Sequence, residues 1–189
     1  VQPGDEDDYF QSSLFTIARR RILWLLILVL ANGLTTKVIA MNDQILKEIV
    51  LLAAFIPLLI GTGGNVGAQS STVVIRGLST QKLKSLGAIK AVFKEAVTGA
   101  LLGILMMLVV FPFAWWQGEG PLIASAVGIS LISITTLAAT TGAILPLLFD
   151  RMRLDPALMS SPFITTVTDI AGVFIYLSTA KWLLSSSLI

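Results

Sequence analysis

Five long runs of mainly apolar residues dominate the pattern of hydrophobic and polar positions along the chain. A helix that crosses a lipid bilayer needs about 20 such residues in succession. The runs cover residues 22–41, 49–75, 96–117, 121–149 and 156–180. The pattern therefore predicts an all-α integral membrane protein with five transmembrane helices, in which residues 1–189 form one domain.

Lysine and arginine are shared unequally between the two ends of these spans. With five spans, the N-terminus and the loops after the second and fourth spans lie on one side, which holds ten basic residues against three on the other. Basic loops remain preferentially in the cytoplasm. The predicted N-terminus is therefore cytoplasmic and the predicted C-terminus is outside. Because the basic residues lie at span ends rather than in one patch, we expect no nucleic-acid partner.

Residues 1–20 precede the first span and are expected to form a cytoplasmic linker. Within them, Leu14, Phe15 and Ile17 are apolar. This segment is either a short amphipathic helix at the membrane interface or an N-terminal extension of the first span. The acidic run at residues 5–8 is typical of the end of a soluble region, so we expect the chain to be a fragment of a larger protein.

The amino-acid composition limits the kinds of metal site and catalytic group that the chain can form. Hydrophobic residues make up 55% of the chain and charged residues 13%, and the chain contains neither cysteine nor histidine. These absences remove thiolate metal sites, cysteine nucleophiles and the most common general base, and we expect no enzyme activity. A metal ion would have to be held by oxygen atoms, which favours Mg²⁺, Ca²⁺ or Mn²⁺.

Asp169 is the most informative polar residue, because it lies near the centre of the fifth span. Inserting an aspartate there costs roughly 2.5–3.5 kcal/mol, so the side chain must face protein, water or an ion. Ser161, Thr165 and Gly172 are predicted to share its helix face, together with Thr168 and Tyr176. This stripe favours a cation pathway. The alternative is an aspartate that only hydrogen-bonds a neighbouring helix.

The second span carries a run of glycine and polar residues at positions 61–72. Asn65, Gln69, Thr72 and Arg76 fall on one helix face. The run is explained either by close helix packing or by the lining of a pore, and the amides favour a pore.

Two other motifs are expected to be structural. The pair Gly99 and Gly103 on the third span predicts a packing seam. A row of hydroxyls on the fourth span is interpreted as hydrogen bonding between helices rather than as a second pore wall. The row consists of Ser130, Ser133, Thr136 and Thr140.

A single carboxylate is a poor cage for a divalent cation. A two-fold axis would bring two Asp169 side chains together, and their charges would balance one Mg²⁺. Because Mg²⁺ gives up its water reluctantly, such a site would hold the hydrated ion. Asp155, at the cytoplasmic start of the fifth span, is interpreted first as a charge that favours the helix dipole and second as an ion ligand.

The sequence at 61–72 (GTGGNVGAQSST), followed by Arg76-Gly77-Leu78, resembles the signature of the MgtE family of magnesium channels. The segments at 155–158 and 162–176 resemble the same family, and the resemblance covers essentially the whole chain.

The resemblance implies a homodimer in the cell inner (plasma) membrane, with a pore at the subunit interface lined by the second and fifth helices. It implies that Asp169 binds hydrated Mg²⁺, that Asn65 lies near the same pathway and that Asp155 is a second candidate site at the cytoplasmic mouth. It also implies an interfacial helix before the first span, and cytosolic N and CBS regulatory domains that this chain lacks.

The predicted function is therefore a Mg²⁺-selective channel or transporter in which paired Asp169 carboxylates hold the transported ion. The alternative is a divalent cation transporter coupled to an ion or proton, with Asp169 as a protonatable carrier.

Overall fold

The structure is a computed structural model that describes residues 13–81, 83 and 87–186. All the regular structure in this part of the chain is helical. The helices are α1 (Leu14–Ala40), α2 (Asp43–Glu48), α3 (Val50–Ser79), α4 (Ala88–Ala114), α5 (Gly120–Arg151) and α6 (Pro156–Ser186). A π-helical turn, Trp115–Glu119, continues α4 towards α5.

The predicted spans lie on the long helices α1 and α3 to α6. In the described part of the chain, four helical segments are long and apolar enough to cross a membrane, and these are Val50–Ser79, Ala88–Gln117, Gly120–Arg151 and Pro162–Ser185. The described apolar part of α1, Leu25–Ala40, is shorter. The prediction of an all-helical membrane architecture is confirmed.

Helix α1 runs without interruption from Leu14 to Ala40. Residues 14–18 are thus the first turns of the same helix that contains the first predicted span. This continuity matches the alternative of an N-terminal extension rather than a separate helix. The earlier part of the predicted linker, residues 1–12, lies outside the described residues.

Helix α5 forms the centre of the bundle and packs against α3, α4 and α6. Its residues Leu131 and Ile134 are fully buried, as are Leu59 of α3 and Leu177 of α6. Helix α1 packs on the outer side of α6. This order leaves α3 and α6 as direct neighbours on the same side of α5, and that is where the predicted polar residues meet.

The glycine pair of α4 forms the predicted packing seam against α5. A Cβ atom placed on Gly99 would lie 2.5 Å from the carbonyl oxygen of Thr135, and one on Gly103 would lie 2.5 Å from Ile132 Cα. Real Cβ atoms do not approach so closely, so the two helix backbones can touch only where these side chains are missing. The prediction of a seam at this pair is confirmed.

The hydroxyl row of α5 behaves differently from the prediction. Ser133, Thr136 and Thr140 donate to the carbonyl four residues earlier on the same helix, at 3.1, 2.7 and 2.6 Å respectively. Ser130 is buried, and its hydroxyl has no hydrogen-bond partner in the described part of the chain. The prediction of hydrogen bonds between helices was wrong for Ser133, Thr136 and Thr140, because each of these donors reaches its own backbone first.

Candidate cation site

Helices α3 and α6 pack directly against each other at the glycine run. A Cβ on Gly67 would lie 2.5 Å from Ile164 Cγ2, and one on Gly64 would lie 3.9 Å from Thr165 Cγ2. A Cβ on Gly63 would lie 3.7 Å from Thr168 Cβ. Small residues therefore let α3 approach the part of α6 that precedes Asp169.

The glycine run has two faces with different surroundings. Gly63 and Gly67 are buried and form the contact with α5 and α6. Gly61 and Asn65 are exposed, and no atom of another helix lies within 4 Å of a Cβ built on Gly61. The packing interpretation is thus correct for one face of the run, while the other face is open.

The open face of α3 continues along the helix in the direction of the basic loop. The predicted polar row is exposed throughout and consists of Asn65, Gln69, Thr72 and Arg76. Gly61 and Ala68 extend the same open face, beyond the polar row predicted from the sequence. Their spacing could have identified them, because 61, 65, 68 and 72 follow the period of a helix face.

Asp169 is half-buried in the middle of α6. It lies 13 residues after Pro156, which is about 20 Å along the helix axis. Thr165, one turn earlier, is exposed and adjoins Gly64 of α3. The carboxylate therefore lies on the helix that borders the open face of α3, far from either end of a long apolar segment.

The threonine hydroxyls around Asp169 donate to their own helix. Thr165 Oγ1 donates to the carbonyl oxygen of Pro162 at 3.0 Å. Thr168 Oγ1 lies 2.8 Å from the carbonyl oxygen of Ile164 and 2.9 Å from that of Thr165. A hydroxyl that donates in this way keeps lone pairs on its oxygen. Thr165 is exposed, whereas Thr168 is buried.

The predicted polar stripe of α6 divides into two groups. Thr165 and Asp169 are accessible from outside the chain, whereas Thr168 and Tyr176 are fully buried. Gly172 is also buried, and a Cβ built on it would lie 3.6 Å from Ile134 Cδ1. These last three residues face the interior of the chain's own bundle. The side chain of Ser161 lies outside the described residues.

Asp155 lies apart from this group. It is exposed and directly precedes α6, with Pro156 as the first helical residue. Aspartate before a helix and proline at its first position are both favoured at helix starts. Asp155 is 14 residues from Asp169, or about 21 Å along the axis, so the two carboxylates of one chain do not share a site.

The atoms near Asp169 that could act as metal ligands in the described part of one chain are few, and they are oxygen atoms. Among the described residues, no group of three or more histidine, cysteine, aspartate or glutamate side chains could hold a metal ion. The open face of α3 offers the Asn65 amide oxygen, and the accessible side of α6 offers the Thr165 hydroxyl and the Asp169 carboxylate. This set suits a hard cation that keeps most of its water and is too small to enclose a bare ion.

Comparison with known proteins decides the family. The family model for MgtE, a divalent cation transporter, matches residues 56–179, which include most of α3 and most of α6. The chain belongs to the MgtE family. It is therefore an integral membrane protein of a transporter family, in agreement with the expectation that it is not an enzyme.

Curated relatives of this MgtE domain carry the name magnesium transporter MgtE. The protein from Thermus thermophilus is 39% identical over 166 residues, which cover 88% of this chain and 37% of that protein. The Enterococcus faecalis protein is 34% identical over 168 residues, covering 87% and 36%. The Bacillus subtilis protein is 32% identical over 176 residues, covering 93% and 39%. The chain thus spans less than two fifths of the length of these relatives.

Proposed function

We propose that this chain forms the ion-conducting part of a Mg²⁺-selective channel in the plasma membrane, built as a homodimer around a two-fold axis. One observation carries the proposal, namely a half-buried carboxylate, Asp169, in mid-helix beside the open polar face of α3. The names of the relatives, magnesium transporter MgtE, support Mg²⁺ as the transported ion.

The need for a second copy follows from the charge and the donor count. One Asp169 carboxylate contributes a single negative charge, and the described residues of one chain contain no group of three or more acidic, histidine or cysteine side chains that could hold the ion. A two-fold axis presents the same surface of both subunits to each other. If the open face of α3 and the accessible side of α6 meet their copies, two carboxylates face one pathway and balance one Mg²⁺.

The ion passes with its water shell in place. Mg²⁺ requires near-octahedral coordination and dehydrates reluctantly, and the donors near Asp169 are too few to replace its waters. The carboxylate accepts hydrogen bonds from those waters, and its charge selects a cation. The lone pairs of Thr165 and the amide oxygen of Asn65 accept further hydrogen bonds. These groups guide the hydrated ion without holding it so tightly that it cannot leave.

The remaining parts of the proposal concern the ends of the pathway. The end of α3, α5 and α6 that carries the basic loops faces the cytoplasm, following the uneven distribution of lysine and arginine. Asp155 lies at that end and attracts the cation as it leaves the membrane. In the full-length protein, cytosolic N and CBS domains regulate the pore from the same side.

The test is Mg²⁺ uptake into liposomes that contain the wild-type chain or Asp169→Ala, with an internal Mg²⁺ indicator. We expect the substitution to lower Mg²⁺ uptake at least tenfold, because removing one ion-facing charge costs more than about 1.4 kcal/mol. Thr136→Val is the matched control, since this hydroxyl is in mid-span but is bonded to its own helix. Uptake by Asp169→Ala equal to that of the control would contradict the proposal.

An internal pH indicator in the same liposomes separates a channel from a proton-coupled transporter that uses Asp169 as its carrier. A channel moves Mg²⁺ with no proton flux of fixed stoichiometry when the membrane potential is clamped. A proton flux that scales with Mg²⁺ uptake and disappears in Asp169→Ala would instead establish the coupled transporter.

A further inference from the structure

A cleft of about 480 Å³ lies between α4 and α5, at the end of the spans that carries the basic loops. Its walls are apolar and include Val92, Phe93 and Ala96 of α4 and Leu147 and Leu148 of α5. Arg151 is the one charged residue that lines it in the described part of the chain. No described residue of α6 or of the open face of α3 lines the cleft, so the proposed ion pathway does not use it.

A second cavity, also of about 480 Å³, adjoins the first and is polar. Ser79, Gln81 and Asp150 line it, and it shares Leu147 and Arg151 with the apolar cleft. Because Ala88, Leu147 and Arg151 line both cavities, we describe the two together as one groove. Its apolar half runs along the spans, its polar half opens towards the loop after α3, and Arg151 marks the junction.

We propose that this groove binds one phospholipid with an amine headgroup, such as phosphatidylethanolamine. The order of groups in the groove matches the order of groups in the lipid. An acyl chain fills the apolar cleft, the phosphate meets the guanidinium of Arg151, and the headgroup ammonium meets the carboxylate of Asp150. Both volumes lie within the range of small-molecule sites.

The charges in the groove are available for this contact. Neither Asp150 nor Arg151 makes an ion pair with another described residue, and both are exposed. A guanidinium binds phosphate through two parallel hydrogen bonds, and an arginine at a span end places its head at the level of the lipid headgroups. The adjacent Asp150 carboxylate attracts the ammonium of an amine headgroup, whereas the glycerol headgroup of phosphatidylglycerol is neutral and offers the carboxylate no positive charge. An amine headgroup therefore fits this pair of side chains better than phosphatidylglycerol does.

Native mass spectrometry of the full chain released from detergent tests the site. The probes are phosphatidylethanolamine, phosphatidylglycerol and phosphatidylcholine with identical acyl chains. Arg151→Gln removes the phosphate contact and Ala96→Phe fills the apolar half of the groove. The matched controls are Arg153→Gln and Val97→Phe, because both residues are exposed and neither lines the cavities. Asp150→Asn tests the choice of headgroup.

We expect the wild type to retain phosphatidylethanolamine in preference to both other lipids. Arg151→Gln should lower its retention about tenfold, as expected when a charged hydrogen bond worth about 1.4 kcal/mol is lost. Ala96→Phe should lower the retention of all three lipids, and both controls should match the wild type. Asp150→Asn should remove the preference for phosphatidylethanolamine over phosphatidylglycerol.

Two results would overturn the assignment. Equal retention of phosphatidylethanolamine and phosphatidylcholine by the wild type, unchanged in Arg151→Gln, would mean that only bulk lipid fills the groove. A preference for phosphatidylglycerol that Asp150→Asn leaves unaltered would mean that the site selects anionic lipid and that Asp150 has no part in it.

Discussion

Both faces of the glycine run in α3 contain glycine, but the two faces have opposite surroundings. On one face, Gly67 lies so close to α6 that a Cβ would come within 2.5 Å of Ile164 Cγ2. On the other, a Cβ on Gly61 would meet no atom of another helix within 4 Å. Gly67 allows α3 and α6 to pack closely, while Gly61 leaves space beside Asn65. Glycine in a membrane helix therefore indicates a pore only where it lies on a face that no neighbouring helix covers.

Leucine substitutions at Gly67 and Gly61 should give the largest difference in stability between the two faces. Gly67→Leu should destabilise the folded chain by at least about 3 kcal/mol, because the backbone of Ala138 also lies within 3.2 Å of the new Cβ and cannot move aside. Gly61→Leu should fold normally and lower Mg²⁺ uptake, since its side chain projects into the open region.

Thermal unfolding monitored by size-exclusion chromatography measures the first effect, and liposome uptake measures the second. Equal thermal stability of the two variants would show that Gly67 is not a packing position. Wild-type uptake by a folded Gly61→Leu would remove the open face from the ion pathway.

The next effect concerns access to adjacent positions. Because the chain has no cysteine, single-cysteine variants are free of background reaction. Asn65→Cys should react with water-soluble thiol reagents, and in liposomes a bifunctional thiol reagent should join it to its copy across the pathway. Val66→Cys, whose side chain is buried, should do neither.

Electrophoresis without reductant provides the readout for this pair. Cross-linking of Val66→Cys together with failure at Asn65→Cys would place the opposite face of α3 at the dimer interface. That outcome would break the proposed arrangement while leaving the fold of one chain intact.

The smallest effect distinguishes two threonines of α6. Thr165→Val removes an exposed hydroxyl and should lower Mg²⁺ uptake about fivefold, equivalent to roughly 1 kcal/mol. Thr168→Val replaces a buried hydroxyl that is bonded only within its helix, and uptake should stay near the wild-type level. Initial rates of uptake give the measurement, and a larger loss in Thr168→Val would reverse the assignment of faces.

The helical architecture could be predicted because it depends on long apolar runs, which are a local property of the sequence. The position of Asp169 in the middle of a helix follows from the same runs. The division of the α6 stripe could not be predicted. Thr165 and Thr168 differ by only about 60° around the helix, and the contact with Ile134 and α3 decides which of them is buried.

Two further differences have physical causes that lie outside a single helix. Ser133, Thr136 and Thr140 of α5 donate to carbonyls of their own helix, so a row of hydroxyls does not reveal whether it joins two helices. The extent of α1 beyond its apolar run depends on backbone continuity at residues 14–18, for which hydropathy carries no signal. In both cases the sequence pattern identifies polar or apolar positions but does not show which groups those positions contact.

Mixed dimers distinguish a pathway shared by two Asp169 carboxylates from one pathway in each chain. A wild-type chain and an Asp169→Asn chain can be co-expressed with two different affinity tags, which yields dimers with two, one or no aspartates. Purification on both tags in sequence isolates the mixed dimer, which has a single aspartate. The account predicts that a dimer with a single aspartate has far less than half of the wild-type Mg²⁺ uptake. Uptake at half of the wild-type rate would mean that each chain conducts by itself and would contradict the shared site.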